Sequence, residues 1–253
     1  GPAGIAAASL LAKSGYEVNI FEAGNQIGGA LNMIPDARLP HDVIEKDWKF
    51  ISNTPLIRLH LNARVGDVRP LLMQYDGVII ATGEPNTAQL NIEGEELCLS
   101  HMEYLHHPER YATSGRVAVI GGGMVGCETA EYLAARGCKV SVIEMMDKIA
   151  AGESTTILPT LLENYKTYGV EQYPSHKVKE FRMDAVVCEN KDGAEVTIPC
   201  DYIVLAMGAR SNAFDAAALE AANIPVYSIG DAAGKAADIS NAIRTGYDTA
   251  CQL

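Results

Sequence analysis

The sequence predicts an α/β fold built from two related strand–helix units, and three observations predict it. Sliding the chain by 122 positions without a gap sets Gly1 on Gly123, Gly4 on Gly126, Ala8 on Ala130 and Leu11 on Leu133. The same shift sets Ala12 on Ala134, Gly15 on Gly137, Val18 on Val140 and Glu22 on Glu144, so the chain repeats itself. At an offset of 125, Asp76-Gly-Val-Ile-Ile-Ala-Thr-Gly83 falls on Asp201-Tyr-Ile-Val-Leu-Ala-Met-Gly208. Finally, short runs of β-branched residues alternate with longer helix-like runs, the pattern of a parallel sheet with crossover helices.

The 253 residues suffice for one large domain or two small ones, at roughly 100–200 residues each. With 48% apolar and 21% charged residues the chain can fill a core. A net charge of −12 excludes a nucleic-acid binder, which needs a basic face to replace phosphate counterions. Apolar runs such as Val78–Ala81 fall far short of the ~20 residues that span a bilayer, so no membrane is expected. The six cysteines, at 98, 127, 138, 188, 200 and 251, form no CxxC, which removes both a zinc knuckle and a dithiol redox pair. Scattered thiols in an acidic chain point to a reducing cytoplasm.

In chain order, the first element is a glycine loop, Gly1-Pro2-Ala3-Gly4, running into the helix-like Ile5–Leu11. Neither an initiator Met nor a charged leader precedes it. A phosphate loop works when a strand delivers it to a helix N-terminus, so the chain is expected to be a piece of a longer protein. Glu17–Phe21 reads as the next strand and ends at Glu22. Gly28 and Gly29 follow, either a flexible pair that hugs a ligand or a surface turn. Trp48, in the helical stretch Asp42–Ile51, reads as a helix-face anchor. Strand Gly77–Ala81 ends in Thr82-Gly83. The stretch Glu84–Gly115 reads as a polar connection. Its His101, His106 and His107 lack the spacing of a metal site, and Glu93–Glu96 reads as solvated surface. Leu56–Leu61 and Val170–Ile198 are expected to supply small antiparallel crossovers.

The second unit carries a full dinucleotide fingerprint. The β-branched strand Arg116–Ile120 enters Gly121-Gly122-Gly123-Met124-Val125-Gly126, and the helix Cys127–Ala135 follows. Gly121 permits the tight turn, Gly123 lets main chain approach a pyrophosphate, and Gly126 lets helix and strand pack closely. Unpaired helix N–H groups and the helix dipole then favour the phosphates. The next strand, Lys139–Ile143, ends in Glu144. A carboxylate there accepts from ribose hydroxyls and repels a 2′-phosphate, which favours NADH over NADPH, with Lys148 the nearby opposing cation. Cys127 reads as a packing residue. Glu128 reads either as a first-turn acid that suits the helix dipole or as a ligand-facing group.

A third signal occurs once. Val226-Tyr-Ser-Ile-Gly230-Asp231 is a short strand followed by Gly-Asp, ahead of a helix near Ile239–Cys251. An acid in that place is able to bond a sugar or ribityl hydroxyl, and a helix N-terminus suits an electron-rich ring.

Taken in order, Gly1-Pro-Ala-Gly4, Glu22, Ala81-Thr-Gly83, the GxGxxG loop, Glu144, Ala206-Met-Gly208 and Gly230-Asp231 resemble the FAD/NAD(P) pyridine-nucleotide oxidoreductases over essentially the whole chain. More narrowly, Gly121–Ala130, Val142–Ala150, Ile239–Ile243 and Gly246-Tyr247 resemble the C-terminal module of the NADH:flavin oxidoreductases of the 2,4-dienoyl-CoA reductase type, long relatives of old yellow enzyme. The resemblance implies two Rossmann-like nucleotide-binding units, an NAD domain inserted into an FAD domain. The FAD domain would comprise 1–85 and the returning segment 209–253, with 86–113 a connection and 114–208 the NAD(H) domain. It implies FAD phosphates at Gly1, Pro2, Ala3 and Gly4, and the FAD adenosine ribose at Glu22 and Ala23. Gly28, Gly29, Ala81, Thr82, Gly83 and Gly230 would line the FAD cleft, with Asp231 on the ribitol. NADH would use Gly121, Gly123, Met124, Val125, Gly126, Glu128, Glu144 and Gly208. An N-terminal barrel carrying FMN and a 4Fe-4S cluster is the partner the resemblance implies, outside these residues, and a homo-oligomer is compatible with it.

The activity so implied is hydride transfer from NADH to FAD, feeding the reduction of an activated alkene such as an enoyl or 2,4-dienoyl thioester. No side chain here is required as an acid or base. Two alternatives stand beside it: a structural ADP-binding domain of the trimethylamine dehydrogenase kind, and a reductase like the small subunit of glutamate synthase. The disulfide-reducing branch is disfavoured because CxxC is missing.

Overall fold

Six helices and twelve strands build the functional framework of the computed structural model, which describes residues 1–36, 38–67, 69–83, 86–111, 114–210, 221, 224–234 and 238–253. In chain order they are α1 (Pro2–Lys13), β1 (Val18–Phe21), α2 (His41–Ile51), β2 (Ile57–His60), β3 (Val78–Ile80), β4 (Leu99–Ser100) and α3 (His101–His106). Next come β5 (Arg116–Ile120), α4 (Met124–Ala135), β6 (Lys139–Ile143), α5 (Leu158–Tyr168), β7 (Glu171–Tyr173), β8 (His176–Arg182) and β9 (Ala185–Asn190). The last are β10 (Glu195–Pro199), β11 (Tyr202–Leu205), β12 (Val226–Ser228) and α6 (Ile239–Ala250). The chain divides into two compact units, Gly1–Asn86 with Ala209–Leu253, and Thr87–Gly208.

In the first unit β1 pairs with β2 and β3 pairs with β12, both in parallel. Leu56–Leu61, expected in an antiparallel crossover, instead carries the parallel strand β2. The helix α2 lies between β1 and β2 in the chain, and a strand–helix–strand crossover returns the second strand in the same direction as the first. Helix α1 packs on α6 through small residues: Ala3, Ala7 and Ala242 are buried, and Ile229 lies with them. A Cβ on Gly246 would stand 2.3 Å from the Ala3 carbonyl oxygen, so the two helices approach to a distance that only glycine permits. Trp48 is half-buried on α2, one turn on from the buried Ile44.

The second unit is a five-stranded parallel sheet in the order β4-β11-β5-β6-β7, with β8, β9 and β10 forming an antiparallel meander beside it. Only the later part of Val170–Ile198 is therefore antiparallel, since β7 joins the parallel sheet. Within 86–113, expected as a connection, Leu99–Ser100 and His101–His106 supply this unit's edge strand β4 and helix α3. The central strands are apolar on both sides: Val117, Val119 and Val142 pack against α4 and α5, and Ala118, Ile120 and Ile143 pack against the meander. That double burial explains why β5 reads as a near-continuous apolar run after Arg116 rather than an alternating one.

The start of β5 is pinned to the turn before β11. The Arg116 N–H donates to Asp201 Oδ2 at 2.8 Å, and the guanidinium donates to Oδ1 at 2.6 Å. These contacts hold the Asp201 carboxyl at about 2, below its ordinary value of 3.8. A depressed carboxyl contributes stability that is complete above its unfolded value and is lost as pH falls through its folded value. The stability gap between the unsubstituted protein and Asp201→Asn should therefore be constant near neutrality and close between about pH 4 and pH 2, as followed by denaturant unfolding at each pH.

Candidate functional site

Parallel strands deliver their C-terminal ends to one edge of a sheet, and ligands of such folds bind beyond that edge. In the second unit this edge gathers the glycine loop after β5, Glu144 after β6 and Gly208 after β11. Gly121 turns with φ +104°, and a Cβ there would strike the Ala206 carbonyl at 2.5 Å. Gly126 lies in the first turn of α4, where a Cβ would come 1.9 Å from the Gly121 carbonyl oxygen. By contrast, a Cβ on Gly123 meets nothing within 4 Å among the described residues. Of the three fingerprint glycines, two are thus required by the fold and one stands beside open space. Helix geometry leaves the first N–H groups of α4, those around Gly123, Met124 and Val125, without intrahelical acceptors. Met124 and Val125 are exposed there, and Glu128 is half-buried one turn on.

Glu144 is fixed by the main chain. Its Oε2 accepts from Gly122 N–H at 2.7 Å and its Oε1 from Met146 N–H at 2.7 Å. Gly122 is held in turn: its carbonyl accepts from Ala150 N–H at 2.6 Å and from the Cys127 thiol at 3.3 Å. Segment 145–150 therefore closes back on the loop, with Ala150 at φ +56° and buried. Met145 and Met146 stand exposed at its crest, 61% and 59%. Nothing in the periodicity of the sequence marks this closure, because it runs through main-chain atoms.

In the first unit the sequence-nominated residues also converge. Gly1 caps α1, followed by Pro2, Ala3 and Gly4; a Cβ on Gly4 would lie 3.2 Å from Ala81 Cβ, and one on Gly230 would lie 3.0 Å from Ala3 Cβ. Gly28 and Gly29 have φ of +120° and +55°, and a Cβ on Gly29 would stand 2.8 Å from Gly1 Cα. That pair wraps the start of the loop. Glu22 Oε1 accepts from Gly24 N–H at 2.8 Å, with Ala23 between them. Thr82 and Gly83 continue from β3, and Gly83 has φ +72°.

Gly230-Asp231 forms a single 3₁₀ turn, Gly230–Ala233, ahead of α6, which begins at Ile239 as the sequence predicts. The N-terminus of α6 is capped by Asp238, whose carboxylate accepts from Asn241 N–H at 2.7 Å. Thr245 Oγ1 accepts from Gly230 N–H at 3.0 Å and so ties the turn to α6.

Other residues take structural roles. His101 is buried, its Nδ1 lies 3.1 Å from the Leu205 carbonyl oxygen, and burial lowers its pKa. The carbonyl accepts only, so Nδ1 carries the proton. The His106 side chain lies outside the described residues. Among the described residues no group of His, Cys, Asp or Glu is arranged to hold a metal ion. Glu95, expected as solvated surface, accepts from Leu90 and Asn91 N–H at 2.8 and 2.7 Å and so fastens a turn. All six cysteines are free thiols; burial pushes Cys98 and Cys188 up to about 12 and Cys200 to about 11. Thiols so disfavoured as thiolates are poor redox groups.

Residues 1–246 match the sequence profile of the pyridine nucleotide-disulphide oxidoreductases. The chain belongs to that family. FAD and NAD(P)H are the cofactors of such modules. Bilirubin reductase of Mediterraneibacter gnavus (strain CC55_001C) is 40% identical over 255 residues, which cover 98% of this chain and 38% of that protein. NADH oxidase of Thermoanaerobacter brockii is 31% identical over 265 residues, covering 100% of this chain and 40% of the other. Among solved structures, a 2-naphthoyl-CoA reductase complex with 2-naphthoyl-CoA superposes with a TM-score of 0.87 at 27% identity, over 100% of this chain and 38% of that one. The chain thus spans about two fifths of the length of these relatives. Among the described residues no helix is long and apolar enough to cross a membrane.

The two kinds of loop glycine differ in what a methyl group does. Gly126→Ala should lower stability by roughly 2 kcal/mol or more through overpacking against main chain. Gly123→Ala should unfold at nearly the parental temperature yet bind NADH at least about tenfold more weakly, because its methyl enters the space beside the helix N-terminus. Thermal unfolding and calorimetric titration of both variants check the contrast.

Proposed function

We propose that this chain is the electron-input module of a longer flavoprotein, taking hydride from NADH on the second unit into FAD on the first. The observation that carries the reading is the loop at Gly121–Gly126, where Gly123 faces open space beside free helix N–H groups and Glu144 is set at the next strand end. A pyrophosphate fits that space by charge and by size of neighbour. When bound, the nicotinamide supplies a hydride and the flavin accepts it, chemistry that belongs to the cofactors.

The chain's own residues bind and orient. Gly123, Met124 and Val125 would receive the NADH pyrophosphate, Gly121 and Gly126 would shape the turn, and Glu144 would exchange its main-chain donors for ribose hydroxyls. Glu144 favours NADH over NADPH because a 2′-phosphate brings negative charge against a carboxylate. Glu128 and Gly208 complete the same edge. On the first unit Gly1–Gly4 would take the FAD phosphates and Glu22 with Ala23 the adenosine ribose. Gly28, Gly29, Ala81, Thr82, Gly83 and Gly230 would line the cleft, and Asp231 would meet the ribitol. The domain assignment follows: 1–85 and 209–253 for FAD, 114–208 for NAD(H), with the added edge strand from 86–113.

Electrons would leave through an FMN and iron–sulfur barrel of the same protein to reduce an activated alkene. The relatives' names support that class, since bilirubin and 2-naphthoyl-CoA both present extended conjugation to a reductant. A cytoplasmic setting is part of the same proposal.

Flavin-loaded protein mixed anaerobically with NADH should lose its visible flavin absorbance, and Glu144→Ala should raise the NADH concentration needed by about tenfold, the worth of one lost charge-assisted pair. NADH binding without any loss of flavin colour would instead support a structural nucleotide domain, and no NADH binding would overturn the reading of the second unit.

A further inference from the structure

One buried titratable group that the proposed chemistry leaves idle stands at the nucleotide edge. His101 is 5% exposed and opens α3 directly after the edge strand β4, at the same end of the sheet as the glycine loop. Short contacts tie it to that loop. Its Nδ1 lies 3.1 Å from the carbonyl oxygen of Leu205, the last residue of β11. The next residue, Ala206, donates its N–H to the Ile120 carbonyl at 2.7 Å, and its carbonyl oxygen would stand 2.5 Å from a Cβ on Gly121. A Cβ on Gly126 would lie 3.3 Å from the Ala206 Cβ. His101 is thus bonded one residue away from the segment that both turn glycines press against.

Strand order decides which half of a dinucleotide His101 can meet. The order is β4-β11-β5-β6-β7, and the loop follows β5. Glu144, after β6, lies on one side of the loop; Ala206 and His101, after β11 and β4, lie on the other. With its pyrophosphate on the loop and its adenosine ribose at Glu144, a dinucleotide carries its nicotinamide half over the ends of β11 and β4. Strands neighbour at about 4.8 Å, so β4 stands roughly 10 Å from β5, within reach of a ribose and a ring. The state of the imidazole suits that place. Nδ1 holds its proton against Leu205 and burial lowers the pKa, so at neutral pH the ring is uncharged and Nε2 is a bare acceptor. Among the described residues the polar side-chain atoms sealed away without a partner are Tyr104 Oη, Arg136 Nε and Glu153 Oε2. Nε2 is not with them, so the small exposed part of the ring includes it.

We propose that His101 positions the nicotinamide, its Nε2 accepting a hydrogen bond from the carboxamide NH₂ of a dinucleotide on the second unit. The inference rests on the dinucleotide reading of that unit and adds to it the residue that orients the reacting ring. The bond to Leu205 is structural, and Nε2 is the part of the side chain that this role leaves unused. Its place is rigid. Ser100 caps α3, its Oγ accepting from Glu103 N–H at 3.0 Å, and Leu205 is held in β11 between Ser100 and Ile120. An acceptor fixed at one point sets both the tilt and the depth of a carboxamide-bearing ring. A protonated imidazole would set a second donor against the amide, and its charge would oppose the positive ring that hydride loss leaves behind. Burial keeps that form scarce. No proton moves in this role, so His101 is a positioning residue and not an acid or base.

The test is calorimetric titration of the oxidised, flavin-loaded protein with NAD⁺ and with 3-acetylpyridine adenine dinucleotide, in which a methyl ketone replaces the amide. The unsubstituted protein should bind NAD⁺ about fivefold more tightly, the worth of one hydrogen bond. His101→Asn keeps a donor at the Nδ1 position and loses the Nε2 acceptor, so it should unfold near the parental temperature. It should bind NAD⁺ about fivefold more weakly and the ketone analogue within about twofold of the parent, which erases the preference. His101→Gln, whose amide reaches the Nε2 position, should keep the preference. No preference in the unsubstituted protein, equal losses for both dinucleotides in His101→Asn, no loss for either, or a preference erased as fully in His101→Gln would each overturn the inference while leaving NAD⁺ binding on the second unit intact. Failure of the unsubstituted protein to bind NAD⁺ would overturn the site reading and this inference together.

Discussion

Everything at the nucleotide edge of the second unit depends on one contact, the seating of Gly126 against the carbonyl of Gly121. A helix that starts there has no side chain between its first turn and the strand that precedes it, so its axis comes close to the sheet. That closeness aims the free N–H groups of α4 at the open edge of the sheet. It also places Cys127 and Thr129 in the core, where the Tyr165 hydroxyl reaches the Cys127 carbonyl at 2.9 Å and locks α5 to α4. The first unit reaches the same end by a different division of labour. There Gly4 is only snug, against Ala81, and the severe approach is between helices, where Gly246 faces Ala3.

The acids at the strand ends serve two purposes that are physically one. A carboxylate that accepts two main-chain N–H groups, as Glu144 does, is held in place and its charge is balanced by peptide dipoles. It is therefore pre-oriented for a ribose, whose hydroxyls replace one set of donors with another. Glu22 shows the reduced form of the same device, with a single main-chain donor from Gly24. The parallel between the two units thus extends below the level of matching letters to matching hydrogen bonds.

Much of this was legible in the sequence because it rests on local chemistry. Strands β5 and β6 begin and end where their β-branched runs do, and the helices after the glycine loops differ from expectation by a turn or less. Glycines that must be glycine announce themselves by spacing. What stayed hidden has a common cause: contacts made by main chain, or by residues far apart in the chain. The parallel pairing of β2 follows from a helix between it and β1, not from the composition of Leu56–Leu61. The role of Glu95 as a turn fastener, the cap at Asp238 and the closure of Ala150 on Gly122 leave no periodic trace. Glu84–Gly115 reads as a polar connection because a two-residue edge strand and a short helix lie below what periodicity resolves.

The saturation of Gly122 sets a clock inside the cradle. Its amide proton is held by a carboxylate and its oxygen by two donors, whereas the neighbouring amides at the start of α4 point outward with no acceptor in their own helix. Solvent deuterium should therefore invade the loop unevenly, entering at Met124 and Val125 while Gly122 stays protonated. An arriving ribose that draws Glu144 away would reverse that order, so a single peptide group becomes a gauge of occupancy readable without touching the ligand.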